Sequence, residues 1–86
     1  GQGNPTPTFL SKGMSVLGAK TVGKDKTHLK LTLEKNDYVY DAIAFRQGQS
    51  LSTARGIVDI AYTAGMNYWN GKETIQLTVQ DFKRSD

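Results

Sequence analysis

His28-Leu29-Lys30-Leu31-Thr32-Leu33-Glu34 alternates apolar and polar residues without a break. Successive side chains of an extended chain point to opposite faces, so Leu29, Leu31 and Leu33 share one side and His28, Lys30, Thr32 and Glu34 the other. Period two sustained over this segment predicts a half-buried β-strand and excludes a helix there. The leucine side supplies a core, and the opposite side is left for solvent or a ligand.

The flanking sequence carries the same signal in weaker form. Met14 to Val22 is a run of small and β-branched residues broken by Gly18, where a lone glycine implies a bulge or sharp coiling. Gly23-Lys24-Asp25-Lys26-Thr27 is a polar loop, and Lys35-Asn36-Asp37 is a turn. Tyr38 to Phe45 reads as a third strand with two open facings. One turns Val39, Ile43 and Phe45 inward and takes Asp41 with them; the other turns Tyr40, Ala42 and Ala44 inward. Arg46 to Gly56 is rich in Ser, Gln and Gly, with at most one helical turn near Ser52-Thr53-Ala54-Arg55 that Ser52 would cap.

Ile57 to Trp69 is a long fourth strand, expected to bend near Ala64-Gly65. Asn70-Gly71 is a strong hairpin signal, because a type I′ turn needs positive φ at both central residues. Glu73 to Phe82 returns as the fifth strand, with Ile75, Leu77 and Val79 inward and Thr74, Gln76, Thr78 and Gln80 outward. The pattern therefore predicts an all-β fold: a small five-stranded OB-fold barrel with at most one short helix between strands three and four. An SH3-like barrel is the structural competitor, and the long connection between strands three and four favours OB. Residues 1–9, Gly-rich and carrying Pro5 and Pro7, read as a linker, 10–82 as the barrel and 83–86 as a polar tail. The opening Gly1-Gln2-Gly3, in place of Met, reads as an excised domain of something longer.

Composition narrows the function. The 86 residues are 37% apolar and 22% charged, ordinary for one globular domain. No run approaches the roughly 18 apolar residues of a membrane helix, and no export signal is visible, so a cytoplasmic protein is expected. With no cysteine there is no disulfide, thiolate zinc site or cysteine nucleophile. His28 is the single histidine and has no second ligand for a metal. The sequence has no G-x-S-x-G elbow and no P-loop, and its carboxylates are scattered over loops and strands. Asp41 and Asp59 read as acidic residues bonded to nearby backbone or cations. Neither an enzyme centre nor a cofactor site is expected in this chain.

The charge is uneven. Between Ser11 and Lys35 six basic residues face two acidic ones, a net +4, and the remainder of the chain carries −1. Sequence-tolerant binding of a single nucleic-acid strand needs cations for phosphates and flat side chains for bases. Candidates for the first are Lys24 and Lys26 in the first loop, His28 and Lys30 on strand two, Arg46 after strand three, and Lys72 beside the hairpin turn. In OB-folds the faces of strands two and three, with the loops joining strands one to two and four to five, form the binding groove. Tyr40 and Trp69 are the aromatic candidates for stacking on bases. Trp69 also fits a core plug, and Phe9, Phe45 and Phe82 read as core or linker-docking residues.

Several segments in series carry a resemblance. Asn4-Pro5-Thr6-Pro7 after two glycines, Gly23-Lys24-Asp25 leading into His28-Leu29-Lys30-Leu31, and Asp41-Ala42-Ile43-Ala44-Phe45 are three of them. Asp59-Ile60-Ala61-Tyr62 and Asn67-Tyr68-Trp69-Asn70-Gly71, running into Ile75 to Asp81, complete the series. Together they resemble the C-terminal OB domain of RecJ-type single-stranded-DNA exonucleases. Tyr62 to Met66 departs from the resemblance, lacking a polar, charged stretch expected at that bend. The resemblance implies a parent enzyme that degrades single-stranded DNA from the 5′ end in repair and recombination, with Mn²⁺ or Mg²⁺ held in a DHH catalytic core. Those catalytic motifs are not in this sequence. What carries over is a single-stranded DNA-binding role beside the parent's catalytic core. The rival expectation is a protein-docking barrel that packs on that core or recruits another repair protein.

Overall fold

The computed structural model describes residues 7–85, with the side chain of Trp69 outside that description, as are residues 1–6 of the expected linker. Five strands make up most of the chain: β1 (Phe9–Val22), β2 (His28–Lys35), β3 (Tyr38–Ala44), β4 (Ile57–Trp69) and β5 (Lys72–Arg84). They close into a barrel in the order β1-β2-β3-β5-β4, in which β3 and β5 run parallel and the other neighbours antiparallel. This is the OB arrangement, reached because the Phe45–Gly56 connection carries the chain across the barrel instead of into a simple hairpin. β1 and β5 extend slightly past the expected 10–82 span, since Phe9 pairs with Tyr62 and Arg84 with Val58.

The core follows from the leucine face of β2. Leu29, Leu31 and Leu33 are fully buried, with Ala42, Ala44, Val58, Ile60, Leu77, Val79 and Met14 around them. Burying a leucine stabilises by roughly 1.5–3 kcal/mol, so these three anchor the barrel. Of the two facings open for β3, the structure takes Tyr40, Ala42 and Ala44 inward. The register gives the reason: Ala42 lies opposite Leu31 and Ala44 opposite Leu29, so small side chains meet large ones in a narrow barrel. The other facing would have packed Ile43 against the leucines and buried the Asp41 carboxylate.

Coiling is concentrated at register shifts. One lies at Gly18 as the sequence indicated, between Val16 and Gly18. Another lies between Ser11 and Met14, where Gly13 adopts φ +74° and its N–H donates to Asp59 Oδ1 at 3.0 Å. A further shift lies opposite Ala61 and Tyr62, where the extra residue is Gln80 of β5; the β4–β5 register is unbroken at Ala64-Gly65, where a bend was expected. The helical turn also sits earlier than expected. It is a 3₁₀ helix over Gly48–Thr53, entered from Gln47 with no side-chain cap, so Ser52 is inside it and caps nothing. Ala54, just after it, is buried in the core.

Pairing between β1 and β4 ends at Tyr62, and β3 meets β5 only over Asp41–Ile43. Beyond those points the β4–β5 hairpin pairs with itself alone and projects as a ribbon. Ile75, expected inward, keeps its facing opposite Met66 but is 56% exposed because nothing covers the ribbon there. Asn70 and Gly71 both have positive φ, as a type I′ turn requires, and so do Asn36 and Asp37 in the β2–β3 turn. Since β5 runs parallel to β3, these two turns lie at one end of the barrel and the Gly23–Thr27 loop lies at the other.

Candidate nucleic-acid interface

The polar side of β2 becomes the middle of an outer face that spans β1, β2, β3 and β5. Antiparallel partners share a face, so the register assembles it row by row. Lys20, Lys30, Ile43 and Thr78 form one row. Gly18, Thr32, Asp41 and Gln76 form the next. Toward the Gly23–Thr27 loop, Val22 pairs with His28, and Phe45 meets His28 just past the end of β3. Away from that loop, Glu34 pairs with Val39. The face is thus basic and partly apolar near the loop, and acidic at Asp41 and Glu34 farther down.

The loop end is held in place by backbone contacts. Lys24–Lys26 form a short 3₁₀ turn, in which the Lys26 N–H donates to Gly23 O at 3.1 Å and Thr27 Oγ1 donates to Lys24 O at 2.8 Å. The Gly48 N–H donates to Thr27 O at 2.9 Å and ties the loop to the 3₁₀ helix. Lys24, Lys26 and Arg46 are exposed at this end. His28 is half-buried, and its Nδ1 accepts the Arg46 backbone N–H at 3.0 Å. Its ring meets that of Phe45 edge-on, with centroids 5.2 Å apart and planes at 80°.

The sequence-derived candidates therefore divide. Lys24, Lys26, His28, Lys30 and Arg46 come together at the loop end of the outer face. Tyr40 does not join them: it faces inward opposite Leu33, packs against the core, and lines a cavity of about 280 Å³ at the far end. Lys72 is also separated, since it begins β5 beside the Asn70-Gly71 turn at the far end. The side chain of Trp69 lies outside the described residues.

Two residues absent from the sequence-derived set belong to the face. Lys20 was legible, because counting back from the loop through the Val22–His28 pair sets it opposite Lys30. Phe45, read from sequence as core or docking, is 55% exposed beside His28. Its facing follows from Ile43 once the alanine side of β3 is known to be inward. Phe82, by contrast, packs against the core, and Phe9 lies tilted against Tyr62 with centroids 5.8 Å apart.

Other chemistry is sparse. Asp59, on the far side of the barrel, has its carboxyl held below the usual value, chiefly by the Gly13 N–H, with Ser85, Lys83 and Lys12 adding to the effect. Among the described residues no three His, Asp or Glu side chains are grouped to hold a metal ion, so they offer no donor set for Mg²⁺ or Mn²⁺. No helix is long and apolar enough to cross a membrane among the described residues.

Residues 1–81 match the family model of the RecJ OB domain. The single-stranded-DNA-specific exonuclease RecJ of Haemophilus influenzae is 34% identical over 83 residues, covering 92% of this chain and 14% of that protein. RecJ of Bacillus subtilis is 28% identical over 83 residues, covering 91% of this chain and 10% of that protein. The crystal structure of RecJ from Thermus thermophilus in complex with Mg²⁺ superposes with a TM-score of 0.71 and 28% identity. That match covers all of this chain and 13% of the crystallised one. The chain thus spans only a small fraction of the relatives it matches.

Proposed function

The chain belongs to the RecJ OB domain family, and on that premise we propose that it binds single-stranded DNA as an accessory domain of a RecJ-type exonuclease. The observation that carries this reading is the outer face, where Lys20 and Lys30 stand side by side across β1 and β2 with Lys24, Lys26 and Arg46 above them. Phosphates are taken up by such cations in a salt-dependent way, since each contact releases counterions. The acidic pair Asp41 and Glu34 confines the strand to the loop half of the face. Neighbouring strands lie about 4.8 Å apart, so four of them span only ~14 Å, room for two or three nucleotides. A domain with so short a footprint gains affinity chiefly by being tethered to other DNA-binding surfaces. In this role it would guide the strand toward a metal-dependent core that cuts from 5′ to 3′ during repair and recombination in the cytoplasm. Mg²⁺ or Mn²⁺ would be held in that core.

Titrating the domain with oligothymidylate at two salt concentrations tests the reading. Binding should weaken as salt rises, with a slope that falls on Lys30→Ala. No binding at low salt and millimolar protein would overturn it.

A second reading is supported by the ribbon. Met66, Tyr68 and Ile75 are 52%, 69% and 56% exposed, and they continue the core-facing side of β4 and β5 past the barrel. Such a face fits a protein-docking role, on the parent's core or on another repair protein.

A further inference from the structure

Phe45 has no role in the core, yet three contacts fix the group around it. Its ring meets the His28 ring edge-on at 5.2 Å. The His28 ring is held in turn by the Arg46 N–H at Nδ1, 3.0 Å away. On its other edge the ring packs against Gly23, where an added Cβ would stand 2.9 Å from His28 Cδ2. Arg46 turns the chain sharply at φ +61°, and Ala44 already fills the core position before it, so Phe45 cannot fold inward. Over half of its surface stays open, in the row next to Lys20 and Lys30.

A large apolar ring that stands against a fixed imidazole and is exposed beside cations has the chemistry to receive a flat, weakly polar partner whose neighbouring groups are anionic. We propose that Phe45 is the base-stacking platform of this face, positioned by His28, and that it sets the preference for single over double strands. This rests on the single-strand reading above. The lysines contact phosphates, which both forms of DNA present. Only an unstacked base offers Phe45 a free π-face, and a duplex buries those faces between its own base pairs. Ile43, half-buried in the adjacent row, extends the apolar floor.

The test compares an oligothymidylate with an abasic oligomer of equal length, which keeps the phosphates and lacks the bases. Phe45→Leu should weaken oligothymidylate binding about fivefold to a hundredfold, the range for loss of one stacked base, and leave abasic binding unchanged. Phe45→Trp should restore the preference, which separates stacking from any loss of fold. Lys20→Ala and Lys30→Ala should weaken both ligands alike. If Phe45→Leu binds oligothymidylate as the parent does while the lysine variants weaken it, the platform is overturned and the DNA-binding reading stands. If the lysine variants also have no effect, both fall.

Discussion

Lys20 and Lys30 stand directly opposite each other across β1 and β2, both on the outer face of the barrel. Like charges so placed in an antiparallel pair are destabilising by about 0.2–1 kcal/mol, a cost the free domain carries without structural return. Lys20→Gln should therefore raise the melting temperature by a few degrees (~1–6 °C for a domain of this size) at low salt. The gain should vanish at high salt, where the repulsion is screened. The same variant should lose about 0.7 from the salt slope of single-strand binding, one phosphate contact. Stability rising while binding falls marks the pair as functional; a lower melting temperature with an unchanged slope would mark it as structural.

The β2–β3 turn is strained at a site the molecule has solved better elsewhere. Asn36 and Asp37 have φ of +53° and +69°, whereas the β4–β5 turn places Gly71 at the corresponding second position. A non-glycine residue pays for the left-handed conformation, and Gly does not. Asp37→Gly should stabilise by about 0.5–1 kcal/mol in urea unfolding. Because the donor to Glu34 Oε2 is the Asp37 backbone N–H, at 3.0 Å, that bond survives the change. A loss of stability would mean that the Asp37 side chain contributes something beyond the turn.

The leucine alternation of β2, the type I′ signal at Asn70-Gly71 and the full span of β4 were legible because each is a local property of the chain. The facing of β3 was not, because Tyr40, Ala42 and Ala44 are as plausible a core column as Val39, Ile43 and Phe45. Only the pairing of Ala42 with Leu31 decides it, through the volume available in a narrow barrel. That single choice turns Tyr40 toward the core and leaves Phe45 on the outer face. Ile75 shows a different limit: periodicity fixed its face correctly, but whether a face is covered depends on where the ribbon leaves the barrel. Lys72 sits beside the hairpin turn as its sequence position implies, but which end of the barrel that turn occupies depends on strand direction, set by the parallel β3–β5 pair, which cannot be read from spacing.

Asp59 links acid stability to the β1 bulge. Its carboxylate accepts the Gly13 N–H at 3.0 Å, and its pKa is lowered from the ordinary 3.8, mainly by that bond. A group whose folded pKa is depressed contributes stability that is complete above the unfolded value and is lost as pH falls through the folded one. The contribution is therefore present above the ordinary 3.8 and is lost progressively below it, as pH falls through the lowered folded value. Asp59→Asn keeps an oxygen for the Gly13 N–H but cannot titrate. Melting curves between about pH 2 and pH 6 should show a flatter acid limb for Asp59→Asn than for the parent. Identical limbs would show that the carboxylate's charge does not stabilise the bulge.

Gly48 is where the Gly23–Thr27 loop is pinned to the barrel. Its N–H donates to Thr27 O at 2.9 Å, and the two backbones approach so closely that an added Cβ would lie 2.2 Å from Lys26 O. Thr27 O would be 3.0 Å from the same atom, so no single carbonyl shift relieves the clash. Backbone carbonyls inside a bonded turn move together, and Gly48→Ala must push the 3₁₀ helix and the loop apart. Overpacking of this kind costs about 1–3 kcal/mol, or ~5–20 °C in melting temperature for a domain of this size. Gly65→Ala is the matched control, since a Cβ there meets nothing within 4 Å. It should change stability by less than about 0.5 kcal/mol. The same separation should loosen Lys24 and Lys26 and leave the Lys20–Lys30 pair in place, because that pair is set by the β1–β2 ladder. Amide spectra of Gly48→Ala should then shift over Gly23–Thr27 and Gly48–Thr53 and be unchanged in the middle of β2. Equal melting temperatures for Gly48→Ala and Gly65→Ala would show that the loop is not held by this contact, and would remove Lys24 and Lys26 from the fixed part of the proposed interface.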